Sequence, residues 1–327
     1  MTLKYIFFSL LFFASNVWGQ VRYIDYPSPF HPTIGSSGMV VSQNQASSDI
    51  GIEILNMGGN AIDAAVAVGF SLATTLPRAG NLGGGGFMLI YLSDEQKTIA
   101  VDFRSSAPKG ISEDEFLFLK KNYDQRRFGY KASGVPGTVA GLLQTHQRYG
   151  KLPLKKILQP VILQASKGIL VTYDLNQAIG SAHQINLDEE SKKIYYQNES
   201  PVIEHALMKR PDLAWTFREI ARKGEDAFYK GSIAKKIVKA MQQNGGYITR
   251  EDLEDYKPRF TEPIQTTYRN HKVLAHPPPA GGAAVLLEGL NILENFKTDE
   301  MGPNSASFFY LFAEALQRGH MDRSRYM

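Results

Sequence analysis

The 327-residue chain contains no cysteine. That one absence excludes disulfides, thiolate metal sites and a cysteine nucleophile, so any nucleophile is an oxygen or an amine. A strong excess of one charge sign is also lacking, with 36 Lys and Arg against 32 Asp and Glu. The formal net charge of +4 is spread along the sequence and gathers into no basic stripe, which argues against nucleic acid as a partner. The seven histidines form no HExxH or HxxEH pair, so a metal site has no support, and no cofactor is expected. A GxSxG nucleophile elbow is missing, and "GSSG" at Gly35–Gly38 reads instead as a loop. Without internal repeats, low-complexity tracts or a Pro/Ser-rich linker, one continuous domain is the expectation.

Long apolar runs are confined to the first residues, "MTLKYIFFSLLFFASNVWGQ". A single charge at Lys4, an apolar run from Tyr5 to Ala14, and small or apolar Val17 and Gly19 read as a secretory signal over residues 1–19. The run is short for a permanent membrane helix, and an uncleaved anchor is the alternative. The mature chain, residues 20–327, is then expected to be periplasmic or secreted and free of the membrane once the signal is removed.

At 43% hydrophobic residues overall, the chain can fill a sizeable core. Apolar positions at helical spacing predict a helix within Ser42–Met57, and Asn60 is placed to cap a second, alanine-rich helix that Pro77 ends. "FMLIYL" (Phe87–Leu92) and "TIAVDF" (Thr98–Phe103) predict a hairpin, the first strand so continuously apolar that it should be covered on both faces. Helical patterns follow Pro136, run over "PLKKILQPVILQASKG", and recur over Ala206–Lys223, Ile233–Asn244 and Arg250–Tyr256 behind a Thr249 cap. Two short strands, Ile264–Tyr268 and Lys272–Ala275, precede "HPPPAGGAAVLLEGLNILENF", where three prolines hold an extended loop and Gly281-Gly282 opens a helix. Helices, hairpin, helices, hairpin, helices is the order of an α/β layered fold with an antiparallel sheet. The final "SASFFYLFAEALQRGHMDRSRYM" is helical in pattern to its last residues, as in a chain that is truncated.

Four glycines, Gly83–Gly86, stand directly before the first strand. They follow a helix and precede a strand, the reverse of a phosphate cradle, and no P-loop lysine accompanies them. Glycine's tolerance of positive φ, together with room for another segment to approach the backbone, is the expected reason for them. Arg104 closes the second strand, where its guanidinium can grip a carboxylate through two parallel hydrogen bonds. The plainer alternative is an ordinary surface arginine, or one paired with Asp102 or another structural acid. The acidic pairs Glu189-Glu190 and Asp252-Glu254 read as solvated faces.

"NLGGGGFMLIYL…AVDFRSSAP", "MVVSQNQASSDIGIEILNMGGNAIDAAVA", "SGVPGTVAGLLQTHQRYGKLPL", "EDAFYKGSIA", "NGGYITREDLEDYK" and "HPPPAGGAAVLLEGLNILENF" together resemble the large-subunit region of γ-glutamyltransferases, also called γ-glutamyltranspeptidases or glutathione hydrolases. The resemblance runs in order over nearly the whole mature chain. It implies a four-layer αββα sandwich of the N-terminal-nucleophile hydrolase class, incomplete in this chain. It also implies a zymogen that cuts itself by autoproteolysis and keeps its own small subunit as partner, donors that are glutathione and other γ-glutamyl compounds, and acceptors that are amino acids, peptides or water. By the same resemblance the nucleophile is a threonine at the start of the small subunit, downstream of this chain. No catalytic residue is therefore expected here, Thr138 included, and the fragment alone should be inactive. Arg104 matches the residue that binds the α-carboxylate of the γ-glutamyl group. A glutaryl-type acylase of the same fold and a non-catalytic truncated remnant are the alternatives.

Overall fold

The computed structural model describes residues 33–182 and 188–327. The segment read as a signal, residues 1–19, lies outside the described residues. Residues 33–39 form no helix or strand, and the unit Val40–Met327 holds the elements that follow.

Asparagine opens both of the first helices. The Asn44 side chain accepts from the Ala46 N–H ahead of α1 (Gln45–Asn56). Asn60 accepts from two backbone N–H groups ahead of α2 (Ala61–Thr75), with Asp63 completing a capping box. The hairpin is β1 (Phe87–Leu92) and β2 (Lys97–Asp102), followed by the peripheral α3 (Glu113–Lys121) and α4 (Tyr123–Arg127). Next come α5 (Thr138–Tyr149), α6 (Leu154–Lys167), β3 (Ile169–Leu170), α7 (Tyr173–Ser181), α8 (Glu189–Tyr195), β4 (Tyr196–Gln197), β5 (Ser200–Pro201) and β6 (Leu207–Met208). The chain continues through α9 (Pro211–Lys223), α10 (Glu225–Tyr229), α11 (Ser232–Gln243), α12 (Arg250–Asp255), β7 (Arg259–Thr261), β8 (Ile264–Tyr268), β9 (His271–Ala275), α13 (Gly281–Leu293) and α14 (Ala306–Tyr326).

Strands β1, β2 and β7 form an antiparallel sheet in that order, with Met88 opposite Val101 and Val101 opposite Phe260. Alternation puts Met88, Ile90, Ile99, Val101 and Phe260 on one face, where they pack against Ile62 of α2 and Tyr149 of α5. Leu89 and Tyr91 point the other way and are exposed. The main core is helical. Phe70 of α2, Val139 of α5, Leu158 of α6 and Phe217 of α9 are completely buried in it.

Three expectations are corrected. Among the described residues β1 is an edge strand covered on one face, and β2, sheltered between β1 and β7, is the central strand. The helix expected from Ala206 begins only at Pro211, because Leu207 and Met208 pair with β3 and proline suits the first turn. Asp252 is not solvated: it is 5% exposed, caps α12 together with Thr249, and accepts from the Lys109 N–H at 2.9 Å.

Asp63 ties the helical layer together. Completely buried, its carboxylate accepts from the N–H groups of Asn60 at 3.0 Å, Lys151 at 3.0 Å and Leu152 at 3.1 Å. The start of α2 is thereby fixed to the turn between α5 and α6. Replacing Asp63 with alanine strands these donors in a site closed to water, and a loss of about 3–5 kcal/mol in unfolding free energy is expected. Urea unfolding of the two chains side by side checks this, with exposed Asp49→Ala as a control expected to stay within about 0.5 kcal/mol.

Candidate functional site

The end of β2 is locked in place before any side chain of the site is considered. The β1–β2 ladder continues one pair past the strands, with the Phe103 N–H donating to the Gly86 carbonyl at 3.0 Å and the Gly86 N–H to the Phe103 carbonyl at 3.3 Å. The Phe103 ring is buried where only glycine leaves room. A Cβ built on Gly141 of α5 would stand 2.1 Å from the ring, and one on Gly86 would stand 2.8 Å from it. One on Gly85 would come within 2.4 Å of the Ser105 nitrogen and 2.7 Å of the Arg104 Cα. The Gly84 carbonyl accepts from the N–H groups of Gly137 at 2.7 Å and Thr138 at 3.1 Å, closing the N-terminus of α5. None of Gly83–Gly86 takes positive φ. Close approach, and not left-handed backbone, is what the cluster provides.

Arg104 follows Phe103 with its backbone held on both sides. Its N–H donates to Asp102 Oδ1 at 3.0 Å, and its carbonyl accepts from the Tyr256 hydroxyl at 2.9 Å. The Tyr256 ring stacks on that of Tyr229, with centroids 5.8 Å apart and planes inclined by 8°. The Tyr229 hydroxyl in turn donates to the Pro136 carbonyl at 2.8 Å and accepts from the Ala140 N–H at 3.1 Å. Burial pushes both phenols well above their ordinary range, and the charge of Asp102 adds to this at Tyr256, so both remain protonated donors.

The Arg104 side chain is exposed, and among the described residues it has no hydrogen bond or ion pair. Of the plainer alternatives, pairing with Asp102 is not what the structure holds. Asp102 is 7% exposed and opposite Arg259 in the β2–β7 register, and its Oδ2 accepts from Arg259 Nε at 3.2 Å and from Nη2. Two cavities share Arg104 in their walls. One, of about 960 Å³, runs past Pro278, Gly281, His320 and Arg323; the other, of about 340 Å³, is lined by Asp102, Tyr256 and Arg259. An arginine unpaired on the protein side, rigid in its backbone and facing a cleft is suited to holding an anionic ligand group.

Sequence reasoning singled out Arg104 and missed Tyr256, Arg259 and Arg323. Arg259 enters through strand register, and Tyr256 lies 152 positions from the residue it touches, so neither leaves a local signal. Thr138 is no free nucleophile. It is 9% exposed, begins α5, and donates through Oγ1 to the Asn81 carbonyl at 3.0 Å.

The family model for gamma-glutamyltranspeptidase matches residues 47–327. A glutathione hydrolase proenzyme of Escherichia coli (strain K12) is 42% identical over 302 residues, which are 91% of this chain and 52% of the relative. An acylase proenzyme of Pseudomonas sp. (strain SE83) is 33% identical over 312 residues, covering 93% of this chain and 56% of the relative. Among solved structures, the gamma-glutamyltranspeptidase of Helicobacter pylori superposes with a TM-score of 0.86 at 36% identity, covering 91% of this chain and 86% of that one. The chain spans about half the length of the curated relatives it matches.

The glycines differ in what they carry, and that is measurable. Gly85→Ala sets a methyl group against backbone atoms that cannot rotate away and is expected to cost about 1–3 kcal/mol, as overpacking does. Gly83, whose nearest neighbour to an added Cβ is Asn81 Oδ1 at 3.4 Å, is exposed. Gly83→Ala should change the thermal midpoint little, a free-energy effect within about 0.5 kcal/mol. Equal effects of the two substitutions in thermal melts would contradict the close-approach account.

Proposed function

The chain belongs to the gamma-glutamyltranspeptidase family, with the N-terminal-nucleophile hydrolase fold of its structural neighbours, and we propose that it forms the donor-binding part of a γ-glutamyl acyltransferase and glutathione hydrolase. The observation that carries this reading is the unpaired Arg104 guanidinium at the end of β2, facing the large cleft. It grips the α-carboxylate of a γ-glutamyl donor and so fixes how far the γ-carbonyl lies from the wall of the site. Holding the reacting carbonyl at a fixed distance turns a chance encounter into an oriented one.

The nucleophile is a threonine in the half of the relatives' length that this chain does not span. Its hydroxyl attacks the γ-carbonyl while its own α-amine takes the proton, and the leaving amine departs to give a γ-glutamyl ester. Water or the amine of an amino acid or peptide then resolves the ester. The large subunit to which residues 20–327 belong and the threonine-bearing subunit arise from one proenzyme by self-cleavage, and these 327 residues alone are inactive. The reading also places the protein in the periplasm or secreted space.

A second reading draws on the 33% identity to an acylase proenzyme. A glutaryl group also ends in a carboxylate that Arg104 can hold, but it lacks the donor α-amine. The full-length proenzyme is expected to turn over γ-glutamyl anilide and to leave a glutaryl amide essentially untouched; the reverse preference would install the acylase reading.

In that proenzyme, Arg104→Ala should lower kcat/KM for γ-glutamyl donors by about 30- to 1000-fold, the range of a lost charge-assisted and bidentate contact. Arg104→Lys should recover only part, since an ammonium lacks the planar fork. Self-cleavage should survive both, because no substrate carboxylate takes part in it. If Arg104→Ala abolished cleavage yet left the donor kinetics of any processed enzyme unchanged, the arginine would be structural. Export is checked separately: mass spectrometry of the soluble protein should find an N-terminus near Gln20, and retention of residues 1–19 on most molecules would refute the signal.

A further inference from the structure

One buried carboxylate has an arginine opposite it in the sheet and another two residues further along the chain, and only the first takes it. Asp102 and Arg104 are two residues apart at the end of β2, where alternation turns both toward the same side of the sheet. Asp102 Oδ1 is pinned by the Arg104 N–H at 3.0 Å, so the carboxylate cannot swing away from the residue that follows it. Arg259, opposite on β7, holds Oδ2 through Nε at 3.2 Å and through Nη2. All three residues line the same cavity of about 340 Å³. The Asp102 side chain is 8% exposed against 67% for Arg259, so the acid is the member of the pair that cannot do without a partner.

We propose that Arg259 is a positioning residue: by occupying Asp102 it keeps the Arg104 guanidinium from folding back onto its own strand and leaves it free for the carboxylate of the donor. This rests on the reading of Arg104 as the donor's carboxylate grip. With Arg259 gone, Asp102 is a buried charge without a counterion; Arg104 and Lys257 are the cations left in the lining of the same cavity, and Arg104, whose N–H already holds Oδ1, is the one placed to relieve it. The donor then competes with an intramolecular carboxylate that is always present, and its apparent affinity falls by the fraction of time Arg104 is engaged. Arg259 touches no substrate in this account, so the chemical step after binding is unaffected.

The test is a set of variants of the full-length proenzyme, assayed with γ-glutamyl anilide for KM and kcat separately. Arg259→Ala is expected to raise KM about tenfold while kcat stays within about threefold, the signature of lost ground-state binding. Adding Asp102→Asn to it removes the competitor, and KM should return to within about threefold of the parent. Arg259→Lys still neutralises Asp102 and should stay close to the parent, and Asp102→Asn alone should not raise KM. In an Arg104→Ala background, Arg259→Ala should add nothing further to KM, since there is no guanidinium left to capture.

A merely structural Arg259 would leave the double variant as impaired as the single one, and an Arg259 that binds substrate itself would do the same; either result overturns the proposal. A tenfold rise in KM from Asp102→Asn alone overturns it too, because Asp102 would then be serving the substrate directly. Should Arg259→Ala not accumulate, Arg259→Gln keeps a neutral donor for Oδ2 and is expected to raise KM about three- to tenfold, and an unchanged KM there is equally fatal. Arg104→Ala separates the two levels. If it leaves KM unaltered, the reading of Arg104 fails; if it raises KM but the Asp102→Asn rescue is absent, only the role given to Arg259 fails.

Discussion

The seat of the Phe103 ring is the constraint on which the site depends. A benzyl side chain at the end of β2 has to enter between the hairpin and α5, and it does so where Gly86 and Gly141 present bare backbone to it. Burying the ring fixes the distance from sheet to helix, and that distance lets the Gly84 carbonyl reach the first N–H groups of α5. The same fit brings the Phe103 carbonyl to within 2.0 Å of where a Cβ of Gly137 would stand. Hydrophobic burial, helix capping and glycine placement thus meet around one residue, and Arg104 is the next residue in the chain. Its direction follows from how Phe103 is seated.

Charge at the site is divided by burial and not by sequence proximity. Asp102 is nearer in the chain to Arg104 but is paired across the sheet with Arg259, whose register on β7 puts a cation directly opposite. A buried carboxylate gains more from a partner held by strand pairing than from one that must bend back along its own strand, since the pairing has already restricted the partner's freedom. The consequence is an exposed guanidinium with no partner among the described residues, beside a cleft that also contains Arg323 and His320. A concave surface of this sign draws anions and strengthens any contact made inside it.

Much of the helical layer was legible from sequence because its signals are local. Asn60 and Thr249 mark helix starts, each within a few residues of what it caps. The strands Phe87–Leu92 and Ile264–Tyr268 were legible for the same reason. What escaped depends on partners far away. An apolar run such as "FMLIYL" fits a strand covered on one face as well as on both, and only the sheet order decides. β6 escaped because Leu207 and Met208 suit a helix until Ile169 and Leu170 lie beside them. At the site, Arg104 could be named because it ends a strand and matches a familiar motif. Tyr256 and Arg259 could not, because their roles arise from a hydrogen bond and a register that span more than 150 positions.

Anchoring Arg104 through its backbone separates the placement of the residue from its chemistry. The N–H held by Asp102 and the carbonyl held by Tyr256 are present whatever side chain stands at position 104. A change there alters what the cleft can hold without disturbing the scaffold that points into it. The reverse is true of Gly85 and Gly137, which contact no ligand in this account yet leave no room for a single added carbon. Scaffold contacts and the unpaired guanidinium are therefore carried by different atoms, and in the proposed reading this lets a strand end held through both its backbone groups present a side chain for binding. A loop could offer the same guanidinium only by ordering itself on each encounter, at an entropic cost that this hairpin has already met in folding.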